Sequence, residues 1–307
     1  MRIIDTVARL QSQSRLWCAE GARIGFVPTM GALHAGHLSL VEAALRQNDR
    51  VIVSVFVNPT QFNDQADLDA YPRDFEADAA VLAAAGVDVA FHPDVDEMYP
   101  AGTGASAVRA GDVAQGYEGA HRPGHFDGVT TVVARLFNAA LADRAYFGRK
   151  DAQQLAVIRA MARDLGFPVE VVGCLTVRDQ DGLALSSRNA RLTPEERQAA
   201  LALVQSLAAA QRDFASADRS AEVMAGRLRR HLDASPGVDV EYAAVVDPNT
   251  FEAPLVAGPE DLAIIAARVG PVRLIDNVAL GARDVIQLAP SQPTTQSASK
   301  APQGVMS

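Results

Sequence analysis

The chain is poor in cysteine, has no long apolar run and shows no clustered basic charge, and each shortage removes a class of protein. Cys18 and Cys174 are the only cysteines, far apart and outside any CxxC spacing. A disulfide framework or a cysteine metal cluster is therefore not expected, and both read as free thiols of a reducing cytoplasm. The N-terminal stretch MRIIDTVARLQSQSRLW lacks the apolar core of a signal peptide. No run reaches the roughly 18 apolar residues of a membrane span. A net charge of −9 argues against a large nucleic-acid surface. It leaves room for a local basic pocket that takes a small anion. The expected partners are small molecules, with neither nucleic acid nor membrane among them. A GxGxxG fingerprint and internal repeats are also missing.

What is present is an ordinary globular composition, 49% hydrophobic and 21% charged, over 307 residues, enough for two domains. In the first half, β-like runs alternate with helical ones. Arg23–Pro28, Val51–Val57, Val87–Phe91, Ala145–Phe147 and Val169–Val172 read as strands. Leu38–Gln47, Phe75–Ala85, Val129–Ala140 and Asp151–Leu165 read as helices. This alternation predicts an α/β fold, a parallel sheet covered on both faces over residues 1–175, with ligands at the carboxyl ends of its strands. From 176 to 287 the pattern predicts a smaller α+β domain. Thr193, Pro194 and Glu196 open a helix reaching about Phe214. Ser220–Leu232 follows as a second helix, with strands at Val240–Val246, Leu262–Ala267 and Val272–Ile275. Residues 288–307 are Ser, Thr, Gln, Pro and Ala without periodicity and are expected to be disordered.

Three polar segments carry the chemistry. Pro28-Thr-Met-Gly-Ala-Leu-His34-Ala-Gly-His37 follows the first strand and precedes a helix. Two histidines three apart there share a face beside the positive end of the helix dipole, where backbone amides are expected to await an anion. The same spacing also suits a metal pair or two incidental histidines at a capped helix. Phe147-Gly-Arg-Lys150-Asp151-Ala-Gln-Gln154 also follows a strand and opens a helix. Lys150 offers a point charge to phosphate, whereas Asp151 alone reads first as a cap. Leu185-Ser186-Ser187-Arg188-Asn189 is a polar loop that suits triphosphate oxygens, or simply lies at the surface. Gln61, in Asn58-Pro-Thr-Gln61-Phe62, closes the second strand. Arg122-Pro-Gly-His125-Phe is one more possible ligand loop, and His92 and His231 read as surface or packing residues.

Taken in order, PTMGALHAGH, VSVFVNPTQF, YPRDFEADAAVL, RPGHFDGV, FGRKDAQQL, DGLALSSRN and RLIDNVAL closely resemble the pantothenate synthetase family, nucleotidyltransferases with the HIGH-type motif. The resemblance spans about residues 1–285. It implies a Rossmann-like first domain, a C-terminal lid and a homodimer. It implies that Met30, Gly31, Ala32, Leu33, His34, Ala35, Gly36 and His37 line an ATP site. Gly148, Arg149, Lys150, Asp151, Val177, Leu185, Ser186, Ser187 and Arg188 would complete that site. Gln61 and Gln154 would hold pantoate and β-alanine, His37 would have an acid role, and Mg2+ would accompany ATP. Three positions depart from the family's pattern: Ala35 where Glu is common, Leu185 where Met is common, and Arg149 where an acidic or polar residue is common.

The implied activity is an AMP-forming ligase that joins pantoate to β-alanine through a pantoyl adenylate. The first transition state gathers charge on phosphoryl oxygens, so His34, His37, Lys150, Ser187 and Arg188 are the expected catalytic donors. One rival is another HIGH-motif adenylyltransferase acting on a different small acid or coenzyme precursor. An aminoacyl-tRNA synthetase is disfavoured by the short chain and the missing basic platform. A rival of another class is a metal-binding or regulatory protein using His34, His37, His121 and His125.

Overall fold

The computed structural model describes residues 1–102, 106–216 and 219–281; the tail from 288 to 307 lies outside the described residues. Six strands form the first sheet: β1 (Arg2–Ile4), β2 (Ile24–Thr29), β3 (Arg50–Val55), β4 (Val89–Phe91), β5 (Arg144–Gly148) and β6 (Glu170–Cys174). Their order is β1-β4-β3-β2-β5-β6, parallel throughout. Successive side chains point to opposite faces. Phe26, Ile52 and Phe91 enter one core with Leu10, Trp17, Val129, Val133 and Ile158. Val27, Val51, Val53 and Ala90 enter the other with Leu40, Val41 and Leu82. Helices thus cover both faces, which is why these strands read as near-continuous apolar runs.

From β2 the chain steps outward through β3 to β4, then returns past β2 to β5 and β6. The order therefore reverses between β2 and β5, and the crevice at their carboxyl ends is the place for a ligand. The strand β1 and the helix Val7–Ala19 are not among the expected elements. That helix buries only Leu10, Ser14 and Trp17, so its apolar stripe is narrow.

The second sheet is antiparallel, β7 (Val238–Val246), β8 (Leu262–Val269) and β9 (Val272–Ala279) in sequence order. Helices Pro194–Ser216 and Ala221–Asp233 share its core through Leu203, Leu207, Leu228, Ile265 and Leu274. The first of them opens with a reciprocal cap. Thr193 Oγ1 accepts from the Glu196 amide at 3.2 Å, and Glu196 Oε2 accepts from the Thr193 amide at 2.9 Å. The helix Ala152–Asp164, beside the first sheet, meets the second sheet over Ala156, Val246 and Ile264, with Phe251. Beside this cluster the buried Glu118 carboxylate receives both terminal nitrogens of Arg273 and, at 2.9 Å, the Tyr242 hydroxyl. Burial alone would raise the Glu118 carboxyl; the Arg273 hydrogen bonds and charge, with Tyr242, hold it below the usual range. Among the described residues no helix is long and apolar enough to cross a membrane.

Candidate active site

The loops that leave β3, β2, β5 and β6 stand side by side along the carboxyl edge and enclose one cleft of about 300 Å³. Met30, Gly36 and both histidines of the β2 loop line it, as does Gln61 after β3. From β5 come Gly148, Lys150, Asp151 and Gln154; beyond β6 come Val177, Leu185, Ser186, Ser187 and Arg188. The structure thus brings most of the expected site residues together. Gly31, Ala32, Leu33, Ala35 and Arg149 do not line the cleft.

The first three of those build the loop instead of touching a ligand. Gly31 sits at φ +84°, and a Cβ there would lie 2.7 Å from an Asp78 oxygen. Ala32 is also left-handed, at φ 51°. Ala32 and Leu33 are held by Asp78, buried in the helix Phe75–Ala85, whose two oxygens accept from their amides at 2.9 and 2.8 Å. The amides expected to await an anion are therefore largely used internally. The Gly31 amide donates to Thr29 Oγ1 at 3.3 Å, Gly36 to His34 Nδ1 at 3.1 Å, and His34 to His37 Nδ1 at 3.3 Å.

These last two bonds fix the chemistry of the histidines. His34 is the N-cap of the helix Ala35–Gln47, and His37 lies one turn in, with ring centroids 4.1 Å apart. Each Nδ1 accepts a backbone N–H and so carries no proton, which leaves each Nε2 as an N–H donor in the neutral ring. Burial, then the His34 ring and Lys150, push His37 down to about 4, with Asp151 opposing. Burial and Lys150 lower His34 as well. At neutral pH the pair offers two neutral Nε2–H groups.

After β5, Asp151 occupies the N-cap position of the helix Ala152–Asp164 but its side chain makes no cap bond. The reading of Asp151 as a cap is corrected: φ −92° and ψ 63° lie outside the extended backbone that turns a cap side chain onto the helix amides. Its carboxylate faces the cleft beside Lys150. The chain has two lysines, Lys150 and Lys300; every other cationic side chain apart from the histidines is arginine. Arg149 turns aside, with Nε donating to the Gly173 carbonyl at 3.2 Å. Of the three positions that depart from the family pattern, only Leu185 borders the cleft; Ala35 is exposed at the helix start.

The site includes Asn58, to which sequence reasoning assigns no role, and Arg122 and His125 of the possible ligand loop. Asn58 Nδ2 donates to Gln61 Oε1 at 3.2 Å, while the Gln61 backbone carbonyl accepts from His125 Nδ1 at 2.8 Å and from Arg122 at 3.3 Å. With Nδ1 protonated, His125 Nε2 is the acceptor for Arg122 NH1 at 3.0 Å. Burial first, then Arg122, push His125 down to about 4. This is the opposite tautomer from that of His34 and His37. In the segment Arg122–Phe126, a possible ligand loop by sequence, His125 lies inside the helix His125–Ala140 rather than ahead of it.

The whole arrangement matches a known family. The family model for pantoate-beta-alanine ligase matches residues 2–279. The chain belongs to the pantoate-beta-alanine ligase family. A pantothenate synthetase of Rubrobacter xylanophilus is 54% identical over 285 residues, 91% of this chain and 98% of that protein. The crystal structure of pantothenate synthetase from Thermus thermophilus superposes with a TM-score of 0.84 at 48% identity, covering 92% of this chain and all of that one. That of pantoate-beta-alanine ligase from Francisella tularensis, complexed with beta-gamma ATP and β-alanine, superposes at 0.73 with 34% identity, covering 91% and 98%. Membership in this ligase family gives the parallel sheet with its small antiparallel companion a known precedent. The described residues contain no group of three or more His, Cys, Asp or Glu placed to hold a metal ion.

Proposed function

We propose that the protein condenses pantoate with β-alanine using ATP, through a pantoyl adenylate, and releases AMP and pyrophosphate. A carboxylate is a poor electrophile because its leaving group would be oxide; adenylation supplies a good one. The pantoate carboxylate attacks the α-phosphorus in line, and the amine of β-alanine then attacks the acyl carbon and displaces AMP.

The observation that carries this reading is the convergence of separate donor sets on one cleft at the switch point. ATP lies against Met30, His34, Gly36 and His37, against Gly148, Lys150 and Asp151, and against Val177 and Leu185–Arg188, with Gln61 and Gln154 holding pantoate. His34 and His37 give neutral Nε2–H bonds, and Lys150, Ser187 and Arg188 give the remaining donors to oxygens that gain charge. His37 acts as a hydrogen-bond donor first; a bound triphosphate raises its affinity for a proton. Arg122, pointed at the same cleft, supplies a cation for substrate carboxylate.

Magnesium fits this site as a companion of the nucleotide. Asp151, a carboxylate on the cleft wall beside Lys150, would hold it together with the nucleotide's phosphates, since this ion favours oxygen donors. Bound there, the ion neutralises phosphate charge. The same proposal includes a boundary at 175/176 with the second unit as a lid, residence in the cytoplasm, and assembly as a homodimer. Light scattering on the purified chain tests the last.

The deciding experiment omits pantoate, β-alanine or Mg-ATP in turn and quantifies AMP, ADP and pyrophosphate. AMP and pyrophosphate in step with pantothenate are expected. ADP as product overturns the adenylate route.

A further inference from the structure

One motif, Arg273–Leu280, has no part in the chemistry above, although residues 275–277 border the cleft. It forms most of β9, among the described residues an edge strand paired only with β8. Besides the Arg273–Glu118 pair, it meets the loops that follow β5 and β6 through one dipeptide, Asp276-Asn277. The buried Asn277 side chain donates both hydrogens of its amide to successive carbonyls, Arg149 at 2.9 Å and Lys150 at 2.8 Å. This turn has no cap of its own, because the Asp151 side chain makes no cap bond. Asn277 thus supplies from outside the anchoring that the helix start lacks.

Asp276, 3% exposed, grips Arg178 in bidentate fashion at 2.6 and 2.9 Å. Arg178 in turn donates to the Gly182 carbonyl at 3.1 Å and to the Asn277 carbonyl at 3.3 Å. Those bonds shape the hairpin closed by Asp179 N to Leu183 O at 2.8 Å and Leu185 N to Val177 O at 2.9 Å. Ser186, Ser187 and Arg188 follow directly. Planar, paired and buried contacts of this kind fix orientation as well as distance.

We infer that Asp276 and Asn277 are positioning residues for adenylyl transfer. Asn277 sets the turn that carries Lys150, Asp276 sets the hairpin that carries Ser187 and Arg188, and both loops are thereby fixed to β9 as one frame. This rests on the proposal that Lys150 and Arg188 grip the triphosphate. A small shift of a charged group from its working position is costly to rate, so the effect falls on ATP use rather than on pantoate affinity.

The test is a double-mutant cycle on the full chain, read as single-turnover adenylate formation from Mg-ATP and pantoate, with a thermal melt for every variant. Asn277→Ala is expected to slow adenylation roughly tenfold to a hundredfold, the scale of a lost buried donor. The apparent KM for ATP should rise and that for pantoate stay near the parent value. In a Lys150→Ala background the same change should cost less than about threefold, because residues acting through one another are not additive. Equal fold losses in both backgrounds overturn the inference while leaving Lys150 its role. Lys150→Ala with undiminished adenylation overturns that role and this inference with it. Asp276→Asn against Arg188→Ala forms a parallel cycle with the same expected non-additivity. It decides the question should Asn277→Ala fail to fold.

Discussion

The histidine loop and the lysine turn leave adjacent strands, β2 and β5, yet they are held by opposite strategies. The histidine loop is finished within the first sheet. Asp78 holds two of its amides, and the two imidazoles hold two more. The lysine turn and the Ser186–Arg188 loop are finished from the second sheet, through Asn277 and Asp276. The neutral donors are thus held within the first sheet, whereas the cations are held through contacts with the second. An enzyme that must not bind nucleotide uselessly gains from such a split: its strongest charges are in place only when both halves are in register.

Breaking the chemistry on either side gives the largest effects. Lys150→Ala and His37→Ala should each lower pantoyl adenylate formation by about a hundredfold or more, on the order of 3 kcal/mol, in rapid-quench single turnovers. Near-parent adenylation in a folded variant removes that residue from the mechanism. Loosening the contact between sheets comes next. Glu118→Gln should destabilise the chain by about 2 kcal/mol in denaturant melts, less than a fully broken buried pair because Glu241 still holds Arg273. Adenylation should fall with it.

Asp78→Asn should act on the other side alone. Its amide cannot accept from both Ala32 and Leu33, so adenylation should drop about tenfold, the worth of one charge-assisted acceptor. The ATP dependence set by Lys150 should persist. An equal response of both sides to Asp78→Asn would erase the distinction between them. The last effect, on stability alone, is with pH. His37 and His125 are both held near 4, below their ordinary 6.5. Between pH 6.5 and 4 the unfolded chain binds protons that the folded chain does not, so stability is full above that window and falls as pH drops through it. Melting midpoints should decline steadily there, and His125→Asn should flatten the slope.

Much of this can be read from the sequence because loops after strands carry dense local signals. Lys150, His34, His37 and Arg188 all sit within short polar segments flanked by apolar runs, and the parallel sheet follows from those runs. What cannot be read is long-range. Asp78 looks like one more surface acid in an alanine-rich helix, and nothing near it in sequence announces amides 45 and 46 residues away. Arg122 and His125 meet a carbonyl 61 and 64 residues distant. The helix Val7–Ala19 escapes a sequence reading because three buried positions among polar neighbours make a faint periodicity.

The scarcity of lysine makes the cleft addressable by covalent labelling. An amine-directed acylating reagent meets few ε-amino targets on this chain, since only Lys150 and Lys300 exist. Modification of the peptide containing Lys150 can therefore be counted by mass spectrometry against Lys300 as an internal reference. Its protection by added nucleotide becomes a footprint of occupancy that needs no turnover.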